Sequence, residues 1–256
     1  MVEKVQSTDG TTIAYETAGS GPPLILVGGA LNTRQSPGGL VPLLVEDFTV
    51  VTYDRRGRGE STDTPPYAVE REVEDFSALV AAVGGSAVVY GHSSGGILAL
   101  EAAAAGVGIS RLAAYEPPYL TTPGGDVLWQ VFVDKVQALV DEGHPDLAVE
   151  EFIRHTGADF DAGMKQSPWW PSLVALARTL PYDLTLTGDN IVPVQRLGRI
   201  SAPTLALYGG ASAAWAQASA SAVAMAVQNG RQDVIEGQEH AVAPETVAPT
   251  LLEFFR

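Results

Sequence analysis

The stretch SAVVYGHSSGGILALEAAAAG, residues 86–106, constrains the fold more than any other part of the chain. An apolar run of strand length meets a Gly/Ser turn and continues at once in a segment rich in Ala and Leu, both strong helix formers. Further short apolar runs follow the same plan: PPLILVGGA, FTVVTYD, ISRLAAYEPP, APTLALYGG and RQDVIEGQ. Strands without alternating polar positions need cover on both faces, and helices between them leave room for parallel neighbours. Between two of these runs, Val69, Val73, Phe76, Leu79, Val80 and Val83 recur at helical spacing. AAWAQASASAVAMAVQ and PETVAPTLLEFF read as two more helices. The expected fold is therefore α/β, a mostly parallel central sheet with helices on both faces. VEKVQST and TTIAYETA, set around Asp9-Gly10, predict an N-terminal β-hairpin.

One region breaks the alternation. Residues 120–195 hold VLWQVFVDKVQALVDEG, DLAVEEFIRHTG and PSLVALARTL, three helical patterns with no clear strand. This predicts a helical cap inserted between two core segments, 1–119 and 196–256, and bounded by Pro117-Pro118 and Pro193. The 256 residues suffice for one large domain of this kind.

Composition narrows the functions. There is no cysteine, which removes thiolate catalysis, disulfides and cysteine-bound zinc. Thirty acidic residues against 15 Lys and Arg give a net charge of −15. Such a surface repels phosphate backbones and anionic lipid, so neither nucleic acid nor membrane is an expected partner. The N-terminus lacks the apolar stretch of a secretory signal, and no apolar run has the length of a transmembrane helix. A cytoplasmic protein acting on a small molecule is expected; the oligomeric state is not legible. No dinucleotide fingerprint, phosphate-binding Gly-Lys-Ser/Thr loop or His-Glu-x-x-His string is present, so no cofactor or metal is expected.

Ser93 carries the strongest chemical signal. It is the centre of Gly-x-Ser-x-Gly between a predicted strand and a predicted helix. So sharp a turn leaves the hydroxyl exposed at the carboxyl end of the sheet, and Gly91 and Gly95 remove side chains that would collide across it. The backbone N–H of Ser94, at the helix N-terminus, is placed to bind developing negative charge.

In these motifs the chain resembles the α/β-hydrolase fold superfamily, over nearly its whole length. LILVGGA stands at the family's oxyanion strand, YDRRGRGES at its Asp-x-Arg-Gly-x-Gly-x-Ser loop, GHSSGG at its nucleophile and EGQEH at its histidine. The resemblance implies a serine hydrolase, esterase- or lactonase-like. A free serine hydroxyl needs a base. Of the four histidines, His240 follows the last strand at the sheet end of Ser93 and is the candidate base. His92 points away from the Ser93 hydroxyl and reads as packing, whereas His144 and His155 read as solvated cap residues. By the same resemblance the N–H of Ala30 is the second oxyanion donor. Gly28 departs from the family's histidine there, and Asn32 or Arg34 either lines the mouth of the site or is a solvated loop residue.

The family's usual place for the acid, after TLALYGG, holds Ala211, Ser212, Ala213 and Ala214. Glu116, at the end of the strand in RLAAYEPPY, reaches the same sheet edge, a position that some lactonases and haloalkane dehalogenases of the family use. It is the candidate acid; a local ion pair for Glu116, or a Ser-His dyad helped by Ser212, remains open. Arg55, Arg56 and Arg58 read as structural braces. In the cap, Trp129 and Phe132 read first as packing against the sheet domain, and the Trp169-Trp170 pair of SPWWP as pocket lining. Trp129, Trp169 and Trp170 are the candidate substrate-binding residues. The expected activity is cleavage of a carboxylic ester or lactone of a small to medium apolar substrate through an acyl-enzyme. Two other readings remain: a non-hydrolytic ligand-binding protein or cyclase, and a carbon–carbon bond hydrolase using the same residues.

Overall fold

In the computed structural model, which describes residues 1–119, 126–156 and 160–256, eight strands form one sheet. The strands are β1 (Glu3–Gln6), β2 (Thr12–Ala18), β3 (Pro23–Val27), β4 (Thr49–Tyr53), β5 (Ala87–His92), β6 (Ile109–Tyr115), β7 (Thr204–Gly209) and β8 (Gly230–Ile235). Their order is β1-β2-β4-β3-β5-β6-β7-β8. β1 and β2 form the antiparallel N-terminal hairpin, β2 joins β4 antiparallel, and every pair from β4 to β8 is parallel.

Alternation along the central strands divides the core in two. Ile25 and Val27 of β3, Val89 of β5 and Ala206 of β7 face one layer. Leu24, Leu26, Val88, Tyr90, Leu205 and Leu207 face the other. The first layer is closed by α1 (Val69–Ala82), α2 (Ser94–Ala104) and α8 (Ala214–Ala226), through residues such as Phe76, Leu79, Ile97 and Val223. The second is closed by α9 (Pro244–Phe255) with Val247, Leu251 and Phe254, and by the loop that carries Leu40, Leu44 and Phe48. Each fully buried large side chain contributes roughly 1.5–3 kcal/mol, so both faces must be covered for the sheet to persist.

Between β6 and β7 the described residues contain helices and no strand. They form α3 (Asp126–Asp141), α4 (Pro145–His155), α5 (Trp170–Leu176), α6 (Leu180–Thr187) and α7 (Val194–Leu197), with 3₁₀ turns at Ala162–Gln166 and Ala177–Thr179. The first residues of the expected insertion, 120–125, lie outside the described residues. This cap has its own apolar cluster, built on Trp129, Phe132, Val136, Val149, Trp170 and Leu180. Ala30 and Leu31, which follow β3, pack against that cluster and join cap to sheet. No described helix is long and apolar enough to cross a membrane.

The chain leaves β3 toward β4 on one side and enters β5 on the other. β3 and β5 are neighbours, so their carboxyl ends flank the topological switch point, where open α/β sheets bind ligands. Gly28–Ala30 leave β3 there, and Ser93 leaves β5.

Candidate active site

Ser93 links β5 directly to α2 with φ 56° and ψ −129°, a left-handed conformation that a residue with a side chain adopts only when its surroundings hold it. Its own N–H donates to Tyr115 O at 2.9 Å, and its carbonyl accepts from Gly96 N–H at 2.8 Å. Gly95 lies so close under β3 that a Cβ there would collide with the Val27 and Gly28 carbonyls. The turn is thus clamped by two neighbouring strands and by the first turn of α2.

His240 lies in the loop between β8 and α9. Two hydrogen bonds fix that loop to the central strands: His92 Nε2 with His240 O at 2.8 Å, and Tyr115 Oη donating to Glu239 O at 2.6 Å. A carbonyl only accepts, so His92 carries its proton on Nε2. His92 packs between Tyr115, stacked at 5.6 Å, and the His240 ring at 4.9 Å. Burial, helped by neighbouring His240, lowers the His92 pKa to about 4, so its ring is neutral.

Glu116 ends β6, fully buried, with φ 45°. Its Oε2 lies 2.7 Å from His240 Nδ1. Its Oε1 accepts from Gly209 N–H at 2.8 Å and from the Ser212 hydroxyl at 2.5 Å. Burial pushes its carboxyl up, but the hydrogen bonds from His240, Ser212 and Gly209 outweigh that and hold it below the usual carboxylate range. An ionised carboxylate only accepts, so His240 Nδ1 carries a proton toward Glu116. Ser212 stands in the loop after β7 and contributes a hydroxyl to Glu116.

Ala30, Ser93, Ser94 and His240 line one cavity of about 320 Å3. Trp129, Phe132, Phe152 and Leu184 of the cap, with Trp215 from α8, form its apolar wall. Trp129 and Phe132 therefore face the cavity as well as the cap cluster, where they read from sequence first as packing. Phe132 is stacked by His155 at 3.6 Å, and Trp129 donates its indole N–H to Gly188 O at 2.9 Å. His155 is exposed, in line with its expectation as a solvated residue, yet one face of its ring is stacked on Phe132 at the cavity wall, and partial desolvation lowers its pKa.

The tryptophan pair is a correction. Trp169 is 48% exposed, and Trp170 sits inside the cap cluster against Phe160 at 5.9 Å; neither lines the cavity. The two rings open helix α5, whose axis carries them to opposite environments, one to solvent and one to the cap interior. Trp215 and Asp183 line the cavity although no motif marks them. Asp183 is the lone acid among the apolar residues of LPYDLTLT, a signal that could have flagged it. Trp215 follows the loop after β7, at the sheet edge of Glu116.

The loop after β3 is braced by a different residue from the one the resemblance supplies. A Cβ at Gly28 would come 2.8 Å from Asn32 Cβ, so Asn32 occupies the space beside it. Its Nδ2 donates to Ala30 O at 2.8 Å, a loop brace within this segment. Arg34 is buried among Asp54, Glu60 and Glu16 and is spent on structure. Arg55, Arg56 and Arg58 are also buried. Arg55 pairs with Glu72 at 2.6 Å and Asp183 at 2.7 Å, Arg56 with Asp75 at 2.6 Å, and Arg58 with Asp183 at 2.6 Å.

Comparison with known proteins places this architecture. The chain is 29% identical over 270 residues to a non-heme haloperoxidase of Rhodococcus erythropolis, with 98% of each sequence covered. A crystal structure of an alpha/beta hydrolase from Sphaerobacter thermophilus shares 47% identity at TM-score 0.89, covering 99% of this chain and 100% of that one. A thermophilic esterase from Thermogutta terrifontis, at 23% identity and TM-score 0.76 over 100% of this chain and 98% of that one, shares the fold. The model of the alpha/beta hydrolase family matches residues 24–250, from β3 into α9 and across every candidate catalytic residue, and the chain belongs to that family.

Proposed function

We propose that this hydrolase is a serine hydrolase that cleaves a carboxylic ester or lactone of a small to medium apolar substrate. The observation that carries the reading is the Glu116–His240 contact at 2.7 Å, with His240 and Ser93 lining one cavity. His240 Nε2 takes the proton of the Ser93 hydroxyl as its oxygen attacks the acyl carbonyl. Glu116 holds the tautomer and stabilises the imidazolium. The Ala30 and Ser94 N–H groups receive the oxyanion; among the described residues neither donates to a protein acceptor. Protonated His240 returns its proton to the leaving alkoxide. Water, deprotonated by His240, then attacks the acyl-enzyme and releases the acid.

The cavity supports an uncharged acyl group. No Lys or Arg lines it among the described residues, and its carboxylate, Asp183, is already paired with two arginines. A volume of about 320 Å3 fits a small to medium substrate. Intact mass after treatment with a fluorophosphonate tests the reading. One phosphonyl adduct on the wild type and none on Ser93→Ala is expected. A folded wild type that takes no adduct and turns over no p-nitrophenyl ester overturns it in favour of a binding role.

A further inference from the structure

Helix α6 of the cap places one fully buried carboxylate, Asp183, against both segments that hold the proposed oxyanion donors. Its Oδ1 accepts from the Ser94 hydroxyl at 2.7 Å and from Arg55 Nη1 at 2.7 Å. Its Oδ2 accepts from Arg58 Nη2 at 2.6 Å. The other terminal nitrogen of Arg58, Nη1, donates to Gly29 O at 2.6 Å, and Arg55 Nη1 reaches Gly28 O at 3.4 Å. Burial pushes the Asp183 carboxyl up, but Arg58, Arg55 and Ser94 hold it below the usual range, and it stays ionised.

The covalent arrangement gives these bonds their meaning. Gly29 C=O and Ala30 N–H belong to a single trans peptide unit, whose C=O and N–H point in opposite directions. A guanidinium fixed on that carbonyl therefore fixes the direction of the Ala30 N–H. It also polarises the amide, since a charged donor strengthens the bond at the far end of the same unit. The second donor belongs to Ser94, whose side chain the same carboxylate holds.

We propose that Asp183 is a positioning residue that sets both oxyanion donors from the cap, through Arg58 and the Gly29–Ala30 peptide on one side and the Ser94 hydroxyl on the other. The proposal rests on the reading of Ala30 and Ser94 as those donors. It makes cap seating a condition of transition-state stabilisation: α6 must be docked for the carboxylate to reach Arg58 and Ser94. Asp183 touches the cavity, yet its two oxygens are committed to three donors and it acts through them.

The test compares wild type with Asp183→Asn, which keeps the shape and removes the charge. Three quantities are read: kcat/KM for p-nitrophenyl butyrate, inhibition by phenylboronic acid, and inhibition by benzyl alcohol. The boronate adduct of Ser93 places an oxygen where the oxyanion forms, whereas benzyl alcohol only fills the apolar cavity. Asp183→Asn is expected to lower kcat/KM and boronate affinity together by about 10- to 100-fold, because poorly aimed donors forfeit part of their effect. Benzyl alcohol affinity is expected to stay within about 3-fold. Unchanged turnover and boronate affinity overturn the proposal, as does an equal loss for all three ligands, which marks a collapsed cavity. If Asp183→Asn does not fold, Ser94→Ala decides by the same readouts, since it removes the 2.7 Å bond to Asp183 and a long 3.5 Å one from Arg55 Nη1 and strands no charge. Its expected loss is about 5-fold in turnover and boronate affinity, with benzyl alcohol unchanged; no loss, or an equal loss for all three, overturns the proposal. An inactive wild type that takes no fluorophosphonate instead defeats the serine-hydrolase reading, a separate failure seen before any Asp183 variant is made.

Discussion

The sheet and the cap hold their cavity residues by different means. At the sheet edge, Ser93 and Glu116 are locked by backbone: both sit at positive φ, at 56° and 45°, where β5 and β6 end. Their own N–H groups bond to neighbouring strands, Ser93 to Tyr115 O and Glu116 to Leu207 O, each at 2.9 Å. In the cap, Trp129, Phe132 and Phe152 come from two helices and are set mainly by side-chain packing, with one indole hydrogen bond from Trp129 to Gly188 O. A position fixed by a hydrogen-bonded ladder tolerates changes in its neighbours. A position fixed by packing moves when any neighbour changes volume. The proposed chemistry thus belongs to the rigid layer, and the proposed substrate wall belongs to the adaptable one. Asp183 is the exception, a cap residue tied to the sheet-edge loops by charge.

The comparison breaks first at Glu116. Glu116→Gln preserves shape, yet an amide cannot hold His240 in the required tautomer or stabilise its charged form. Turnover of p-nitrophenyl butyrate should fall by about 10³- to 10⁴-fold with the thermal midpoint retained within a few degrees. A loss under 10-fold would remove Glu116 from the role and return it to the Ser212-assisted dyad.

The cap should answer with smaller and more selective effects. Phe132→Ala removes an aromatic wall and unstacks His155. It should lower kcat/KM for a phenylacetate ester by about 10-fold while changing an acetate ester by about 3-fold or less. Trp169→Ala, on the outer surface, should leave both within about 2-fold. Equal losses on the two esters would mean that the cap wall acts on the chemistry rather than on selection.

A separate effect concerns stability. The unfolded chain protonates His92 near its ordinary value of about 6.5, while the folded protein resists until about 4. In that window the unfolded state binds more protons, so stability is complete above pH 6.5 and falls as the pH drops to 4. The slope from this one residue is at most about 1.4 kcal/mol per pH unit. Urea midpoints of His92→Gln, which keeps a donor for His240 O, should therefore be flatter than wild type between pH 6.5 and 4. An unchanged slope would show that other groups govern the acid limb.

The parallel sheet, its hairpin and the Ser93 turn were legible because each depends on local pattern. Apolar runs of strand length, glycines beside Ser93 and helical spacing act within a dozen residues. Glu116 was legible through the family resemblance, which implies an acid after TLALYGG, where GGASAAW has none, or after the preceding strand, joined to the rule that parallel strands end on one edge. The cap resisted for the opposite reason. Helical periodicity marks which residues face inward, but an inward residue of α3 meets the cavity and one of α5 meets only the cap cluster. Trp129, read first as packing, also meets the cavity, whereas Trp170, read as pocket lining, meets only the cap cluster.

By itself, then, the sequence determined the layer architecture, the strained serine and a histidine and a glutamate on its sheet edge, because strand and turn preferences act over short range. Only the tertiary structure decided that Asn32 braces the loop in place of a histidine, that Trp215 and His155 meet the cavity, and that Asp183 reaches Arg58 and Ser94. Those contacts join residues as far apart as 125 positions, Arg58 and Asp183, and what brings them together is the docking of one layer on another, which no local pattern encodes.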